Sequence, residues 1–185
     1  MRTTKSNLQV LHEDNHLIIV NKRAGDIVQG DKTGDLPLSE IIKEYIADKY
    51  DKPGKVFLGV VHRLDRPTSG VVVFARTSKA LERMNKKLRD RDMEKIYWAV
   101  VQGHPAPEKS TLEHHLKKNP KNNKSNPIKG DLKYGSKRSN KDGSIHLHAR
   151  RITFEHPVKK TPLEVVAPLP PDPLWDLCEK RLSDD

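Results

Sequence analysis

The stretch VFLGVVHRLDRPTSGVVVFA, residues 56–75, places a polar loop between two apolar runs. Both runs are apolar at successive positions, a pattern typical of strands that are buried on both faces of a sheet. The loop holds one carboxylate, Asp65, between Arg63 and Arg66. Two interpretations of Asp65 follow. It is either a turn residue that bonds nearby backbone amides or a chemical group held out by two rigid strands.

The rest of the chain mixes strands and helices without strict alternation. The patterns predict strands at 16–22, 56–61, 71–75, 95–103, 144–157 and 162–168, and helices at 38–50, 77–93 and 171–182. The second helix carries Ala80, Leu81, Met84 and Leu88 at the spacing of one apolar stripe. Together these elements predict an α+β fold with a mixed sheet. The length of 185 residues suits a single domain over 1–185.

The composition points to a polyanionic partner. The net charge is +10, and ten Lys or Arg between Lys109 and Lys141 face only Glu113 and Asp131. Such a run is either a solvated loop or a surface that binds nucleic acid, and charge alone does not distinguish DNA from RNA.

Cysteine usage and hydropathy limit the location. The single cysteine, Cys178, allows neither an internal disulfide nor a cysteine-rich zinc site. The sequence shows no signal-peptide pattern and no long apolar segment. We therefore expect a soluble cytoplasmic protein without a membrane partner.

Several features of the loop favour the chemical interpretation of Asp65. Pro67 fixes the backbone angle φ, and Gly70 permits a tight backbone path into the next strand. The flanking Arg63 and Arg66 favour the ionised form of the carboxylate. An ionised aspartate in a basic cleft suits a reaction on a polyanionic substrate.

The loop HRLDRPTSG resembles the signature of the RluA-type pseudouridine synthases, in which His-Arg-Leu-Asp is followed by two variable residues and Thr-Ser-Gly. The segment VLHEDNHLIIVNKRAG resembles the family's opening, and EKIYWAVVQG resembles its Lys-x-Tyr-x-Ala strand. The segments IKGDLKYG, SIHLHARRITFEHP and TPLEVVAPLP resemble its C-terminal portion. These blocks cover most of residues 10–170 in the family's order.

The resemblance implies a catalytic domain with a mainly antiparallel mixed sheet and flanking helices. It implies isomerisation of uridine to pseudouridine within ribosomal or transfer RNA, with no cofactor and no metal. Asp65 would be the catalytic carboxylate, either as a nucleophile on the sugar or by assisting glycal formation. The resemblance assigns substrate binding to His62, Arg63, Arg66, Thr68 and Tyr97, with Tyr97 stacking on the target base. It further implies a monomer.

The sequence departs from the family pattern in three ways. It leaves no room for the S4-type RNA-binding domain of many members, and Arg23 stands where the family usually has proline. The block that reads roughly Leu-x-Thr-Gly-Arg-x-His-Gln-Ile-Arg, whose arginine pairs with the catalytic aspartate in the family, is also absent. We expect the missing segment near 120–128. Either the complete protein carries it, in which case the chain is interrupted there, or it is deleted.

Three other functions remain as alternatives. Loss of the arginine would leave a catalytically silent RNA-binding module. A basic structural protein of a ribonucleoprotein is a blander hypothesis that does not account for the ordered blocks. A metal hydrolase is disfavoured, because pairs such as His114–His115 and His146–His148 have no third ligand at a defined spacing. A surface facing solvent or RNA explains His146 and His148 more simply.

Overall fold

The computed structural model describes residues 2–51, 53–103 and 127–183. The strands are β1 (Val10–Glu13), β2 (Leu17–Lys22), β3 (Gly59–Val60), β4 (Ser69–Ala75), β5 (Glu94–Ala99), β6 (Leu147–Glu155) and β7 (Pro162–Val166). The helices are α1 (Leu38–Lys49), α2 (Ser78–Arg89) and α3 (Pro173–Ser183).

All seven strands of the described part belong to one mixed sheet. Its main order is β1-β2-β4-β6-β5, with β3 paired to β4 and β7 paired to β6. Among the pairings in the described part, only β4 with β6 is parallel. This confirms the predicted α+β class with a mainly antiparallel sheet and flanking helices.

The two central strands are buried on both faces, as their apolar runs predict. Every residue of β2 and β4 is buried. On one face, α1 packs over Val20, Val72 and Phe74. On the other face, α2 packs its predicted apolar stripe over Val71 and Val73. The sheet is therefore the middle layer of three, and the loop between β3 and β4 leaves from its centre.

The predicted strand at 56–61 is wrong in its extent, because only Gly59 and Val60 pair with β4. Val56 and Leu58 instead pack against the apolar cluster beneath α1. Gly59 lies very close to α2, since a Cβ there would lie 2.6 Å from Leu81. Helix packing thus replaces strand pairing over this segment. β1, an edge strand of half-buried residues, was not predicted.

The missing segment expected near 120–128 falls mostly outside the described residues. The chain leaves the sheet after Val101 and is described again at Pro127, where Gln102 N donates to the Pro127 carbonyl at 3.2 Å. Ile128 forms a β-bridge with Val101. The described residues on the two sides of this segment therefore lie next to each other.

Within the described part of the chain, none of the helices combines the length and apolar character that crossing a membrane requires.

Candidate active site

The polar loop between β3 and β4 presents Asp65 at the surface. Leu64 before it is buried in the cluster beneath α1, and Thr68 after it is buried. The Thr68 N–H donates to the Asp65 carbonyl at 3.0 Å, which closes a turn. The Asp65 side chain itself is exposed. The loop is thus fixed on both sides while its carboxylate stays accessible.

Lys22 anchors this loop from below. It ends the apolar strand β2 and is 0% exposed, which is rare for a lysine unless its ammonium is paired. Its Nζ donates to the carbonyls of Thr68 at 2.7 Å, Arg23 at 3.0 Å and Arg66 at 3.2 Å. Two of these carbonyls belong to the Asp65 loop. The ammonium therefore ties the end of β2 to the loop.

The charge of Lys22 interacts with Asp65. Burial lowers the pKa of the ammonium to about 8, while the carboxylates of Asp26 and Asp65 act in the opposite direction and favour its charged form. The Asp65 carboxylate thus favours the charged form of the Lys22 ammonium.

The turn after β2 makes a second connection to the loop. Gly25, whose φ is +95°, donates its N–H to the Arg66 carbonyl at 2.8 Å. Arg23, which stands where the family usually has proline, donates to the Asn7 carbonyl at 3.2 Å. In this chain the turn is therefore held by a side-chain hydrogen bond to the N-terminal segment.

The two arginines beside Asp65 differ in their surroundings. The Arg66 guanidinium binds Asp35 at 2.6 Å and Thr33 Oγ1 at 2.9 Å. It is thus engaged by the acidic loop at 31–35. Arg63 is exposed, and its side chain makes no hydrogen bond or ion pair with the described residues. The roles of both arginines toward a substrate stay predictions.

His62 supports the start of the loop as a neutral ring. Its Nε2 accepts from the Val73 N–H at 3.3 Å. Burial lowers the pKa of the imidazole to about 4, and the nearby charge of Lys95 lowers it further. At neutral pH, His62 therefore offers a phosphate no positive charge, and its predicted role in substrate binding is limited to hydrogen bonding.

Tyr97 lies in a row with the end of the loop. It pairs with Ala149, and Ala149 pairs with Gly70. Residues opposite each other across strands share one face, and Ala149 packs in the same cluster as Leu64. The phenol ring, 42% exposed, therefore stands on the face of the sheet that carries the loop. Two strand spacings separate it from Gly70, roughly 10 Å.

Gly70 allows β4 to approach β6. Its φ is +116°, and a Cβ there would lie 2.3 Å from the Ala149 carbonyl oxygen. No side chain fits in that space. The glycine at the end of the loop is thus required by the parallel pairing that joins the two halves of the sheet.

His146 and His148 share one face, as predicted, but the interpretation of that face as solvent- or RNA-facing is wrong. They are 3% and 0% exposed. Both rings contact Trp175 of α3, with centroid distances of 5.4 and 6.1 Å. The Ser69 hydroxyl lies 2.8 Å from His148 Nδ1. The alternating pattern could not reveal that a terminal helix covers this face.

One group of possible metal ligands occurs among the described residues, but its chemistry does not fit a metal. The ligand atoms of His12, Asp14 and His156 lie within 4.8 Å of one another. His156 Nδ1 accepts the backbone N–H groups of Val158 and Lys159 at 3.2 and 2.9 Å. A neutral ring then carries its proton on Nε2. That nitrogen lies 2.9 Å from Asp14 Oδ2, and with a proton on it there is no lone pair to bind a metal.

A cavity of about 420 Å³ lies beside the loop's anchor. It is bordered by Lys22, Ser69, His146, Asp172 and Trp175, among others. Neither Asp65 nor Tyr97 borders it. We therefore place the candidate site at the exposed loop, which is the place where a bulky polymer substrate can reach the carboxylate.

Sequence reasoning missed the anchor. Lys22 was the last residue of a predicted strand that is otherwise apolar or amide-bearing, and a lysine that ends a fully buried strand must find acceptors or remain uncharged. That position was the available signal. The orientation of Arg66 toward Asp35 left no such signal, because the two residues are distant in sequence.

Comparison with known proteins supports one family. A family profile described as RNA pseudouridylate synthase matches residues 16–164. The chain is 34% identical over 113 residues to the mitochondrial pseudouridylate synthase RPUSD4 of Xenopus tropicalis, covering 61% of this chain and 34% of that protein. It is 26% identical over 211 aligned residues to the ribosomal large subunit pseudouridine synthase C of Vibrio cholerae, covering 86% of this chain and 65% of that protein.

The chain thus spans between about a third and two thirds of the length of these curated relatives. The second alignment is longer than the 185-residue chain itself. That relative therefore carries residues within the aligned region that have no counterpart here.

Solved structures show the same fold. Human RNA pseudouridylate synthase domain containing 4 superposes with a TM-score of 0.70 at 19% identity, covering 94% of this chain and 93% of that one. Human RNA pseudouridylate synthase domain containing 1 gives a TM-score of 0.65 at 18% identity, covering 96% and 90%.

Proposed function

Because the chain belongs to the RNA pseudouridylate synthase family, we propose that it isomerises uridine to pseudouridine within structured RNA, ribosomal or transfer. The observation that carries the proposal is the loop itself. Asp65 is exposed, while Leu64 and Thr68 on its two sides are buried and the carbonyls of Arg66 and Thr68 are bonded to Lys22. A fixed but accessible carboxylate is what a reaction on a large polymer needs.

The chemistry proceeds by bond exchange within one nucleotide. The bond from uracil N1 to C1′ of the ribose breaks, the base turns, and a bond from C5 to C1′ forms. The C5 hydrogen leaves as a proton and N1 takes up a proton, so the product is an isomer of the substrate. Asp65 acts either by attacking C1′, so that an ester links the sugar to the carboxylate until the base returns, or by taking a proton from the sugar to form a glycal. The reaction uses no cofactor and no metal.

Tyr97 is the proposed contact for the target base. Its ring is exposed on the face that carries the loop, and a flat ring supports an extruded uracil by stacking. The uridine must leave its helix to reach Asp65, at a cost of a few kcal/mol. We also assign Arg63, Arg66, Thr68 and His62 to the surroundings of the bound nucleotide.

Asp65 needs a positive charge that the absent arginine block does not provide. We propose Lys22, which is buried below the loop and bonded to the Arg66 and Thr68 carbonyls, as the nearest source of that charge. The alignment that exceeds the length of the chain supports a segment present in that relative and absent here, and we propose that it belongs near 120–128. If the complete protein carries that segment, its arginine completes the site. If the segment is deleted, Lys22 acts alone.

We further propose a monomer in the cytoplasm. One relative bears the description mitochondrial, so imaging of the tagged protein in its own cells is the direct test. A signal confined to an organelle would contradict this location.

The experiment is pseudouridine mapping on unmodified RNA. Purified protein is incubated with transcribed ribosomal and transfer RNA, and carbodiimide treatment followed by reverse transcription locates pseudouridine. We expect a few defined sites with the native protein, none with Asp65→Ala, and unchanged sites with the control Asp90→Ala at the end of α2. A native protein that binds RNA but marks no site would favour the catalytically silent RNA-binding module.

A further inference from the structure

We infer that residues 127–143, here called the basic loop, form the surface that grips the single-stranded RNA beside the target uridine. The inference rests on the proposed function and specifies where the substrate strand lies. It draws on the charge, the backbone contacts and the position of this loop, and on one exposed aromatic ring.

The basic loop concentrates cations that have no acidic partner. Lys133, Lys137, Arg138 and Lys141 are all exposed. None of them forms an ion pair with the described residues. The two acidic residues of the loop serve its own turns instead. Asp131 accepts the Tyr134 N–H at 3.3 Å, and Asp142 accepts the Ser144 N–H at 3.0 Å.

Several exposed cations elsewhere in the described part of the chain have an acidic partner. Ion pairs join Lys49 to Glu13 at 2.6 Å, Lys86 to Asp90 at 2.5 Å and Lys160 to Glu155 at 3.2 Å. Exposed cations without such a partner also occur elsewhere in the described chain, as at Arg89, Arg91 and Lys95. The basic loop carries more of them over a similar length, with four between positions 133 and 141. A cluster of unpaired cations attracts phosphates, because each contact releases a condensed counterion.

Hydrogen bonds and close packing hold the backbone of the basic loop, which sets where its cationic side chains begin. Lys129 Nζ donates to Asn140 Oδ1 at 2.7 Å, and Asn140 Nδ2 donates to the Ser144 carbonyl at 3.0 Å. Gly130, with φ +90°, packs so closely that a Cβ would lie 2.7 Å from Asn140 Nδ2 and from the Ser144 carbonyl oxygen. Cations on a held backbone bind a chain of phosphates with less loss of conformational entropy than cations on a mobile one.

The basic loop borders the Asp65 loop directly. The Ile145 N–H donates to the Pro67 carbonyl at 3.1 Å, and the His146 N–H donates to the Lys129 carbonyl at 2.9 Å. Pro67 is two positions from Asp65. RNA bound along the basic loop therefore passes beside the proposed catalytic carboxylate.

The exposed ring of Tyr134 favours unpaired nucleotides over a duplex as the ligand of the basic loop. Its ring is 47% exposed, and Lys133 Nζ lies 5.2 Å from the ring centroid. An exposed ring flanked by a cation offers a base a stacking platform and its phosphate a charge. A duplex keeps its bases stacked on each other and gains nothing from such a ring.

The test is the salt dependence of RNA affinity. The variant Lys133→Ala/Lys137→Ala/Arg138→Ala is compared with Lys79→Ala/Lys86→Ala/Arg89→Ala, which removes the same charge from α2. The ligand is a stem-loop RNA with an unpaired uridine-containing loop, and the dissociation constant is measured by fluorescence anisotropy from 50 to 300 mM salt. The first variant should weaken binding by about 10- to 100-fold at low salt and flatten the slope by about 2, at about 0.7 per lost phosphate contact.

Two further results complete the test. Tyr134→Leu should weaken binding of the unpaired loop by about fivefold or more and leave binding of a duplex of equal length within twofold. In turnover assays, the triple basic-loop variant should raise KM far more than it lowers kcat, and the α2 variant should change neither.

The outcomes separate the two proposals. Equal affinity loss in both triple variants would overturn the basic loop as the gripping surface, even if pseudouridine still forms. If only the basic-loop variant loses affinity for RNA and the native protein forms no pseudouridine, the basic loop stands as the RNA-binding surface and the proposed enzymatic activity is wrong.

Discussion

Asp65 owes its position to residues that do not react. Thr68, Leu64 and Lys22 are buried around it, and only its own carboxylate and the side chains next to it remain at the surface. The loop could be predicted from the two apolar runs that flank it. The partners of Lys22 could not be predicted, because its hydrogen bonds to three backbone carbonyls depend on how two distant segments meet.

Replacing Lys22 by methionine should affect both stability and activity. The change keeps the length of the side chain and removes the donor from the buried Thr68 carbonyl and from the part-buried carbonyls of Arg23 and Arg66. This loss should lower the free energy of unfolding by about 3 kcal/mol. Urea denaturation measures this loss. Pseudouridine formation by the folded variant should fall at least tenfold, because the loop and the charge beside Asp65 are both disturbed. Full activity in a stable variant would contradict the role of Lys22.

Replacing Gly70 by alanine should be more damaging than the same change at Gly34. Both glycines have positive φ, but only Gly70 has backbone within 3 Å of the added methyl group. We expect roughly 3 kcal/mol or more of destabilisation at Gly70 and about 1 kcal/mol at Gly34. Thermal unfolding of the two variants compares them. Similar values would show that β4 and β6 can move apart.

At the scale of elements, the sequence predicts strands better where burial is complete. β2 and β4 lie close to their predicted positions, since nothing but a sheet interior suits such apolar runs. The segment at 56–61 shows the limit of the pattern, because helices α1 and α2 compete with the sheet for the same apolar side chains. The hydrophobic periodicity of one sequence does not show whether such side chains pack against a helix or pair within the sheet.

The position of Tyr97 in register with Ala149 and Gly70 predicts how its substitution affects RNA binding. Tyr97→Phe should keep the affinity for RNA within about twofold, because the flat ring remains. Tyr97→Ala should weaken affinity by 1–3 kcal/mol, the usual value of one stacked base. Neither change should lower stability much, since the ring is 42% exposed. Anisotropy titrations with a uridine-containing stem-loop measure the difference. Equal affinities for the alanine and phenylalanine variants would remove the stacking role.

At the scale of the whole molecule, buried neutral histidines make the fold sensitive to acid. Burial lowers the pKa of His148 to about 4, below its ordinary 6.5. Between these values the unfolded chain takes up a proton that the folded chain does not, so stability is complete above pH 6.5 and is lost as the pH falls toward 4. The shift corresponds to about 3 kcal/mol.

The matched variant His148→Gln isolates this contribution. Glutamine cannot take up a proton, so the difference in free energy of unfolding between pH 7 and pH 4.5 should be smaller than in the native protein by about 2 kcal/mol. His62, whose pKa is also lowered by burial, is common to both proteins and cancels. An identical pH dependence in both would show that His148 titrates normally.

A direct measurement shows whether the complete protein carries additional residues. The chain leaves and re-enters the sheet at Val101 and Pro127, and a relative carries additional residues within the aligned region. The intact mass of the purified natural protein, compared with 21.1 kDa, decides between an interrupted sequence and a deletion. An excess of several kilodaltons would restore the arginine block. A match would leave Lys22 as the cation for Asp65.

The central claim is that Asp65 catalyses the exchange of a uridine's glycosidic bond from N1 to C5, and release of the C5 hydrogen measures it most directly. RNA transcribed with uridine tritiated at C5 is incubated with excess protein, and tritium in water is counted. The native protein should release tritium in a fixed ratio to RNA, and Asp65→Asn should release none while binding RNA with similar affinity. Release by Asp65→Asn at the native rate, or none by the native protein from either ribosomal or transfer RNA, would contradict the account.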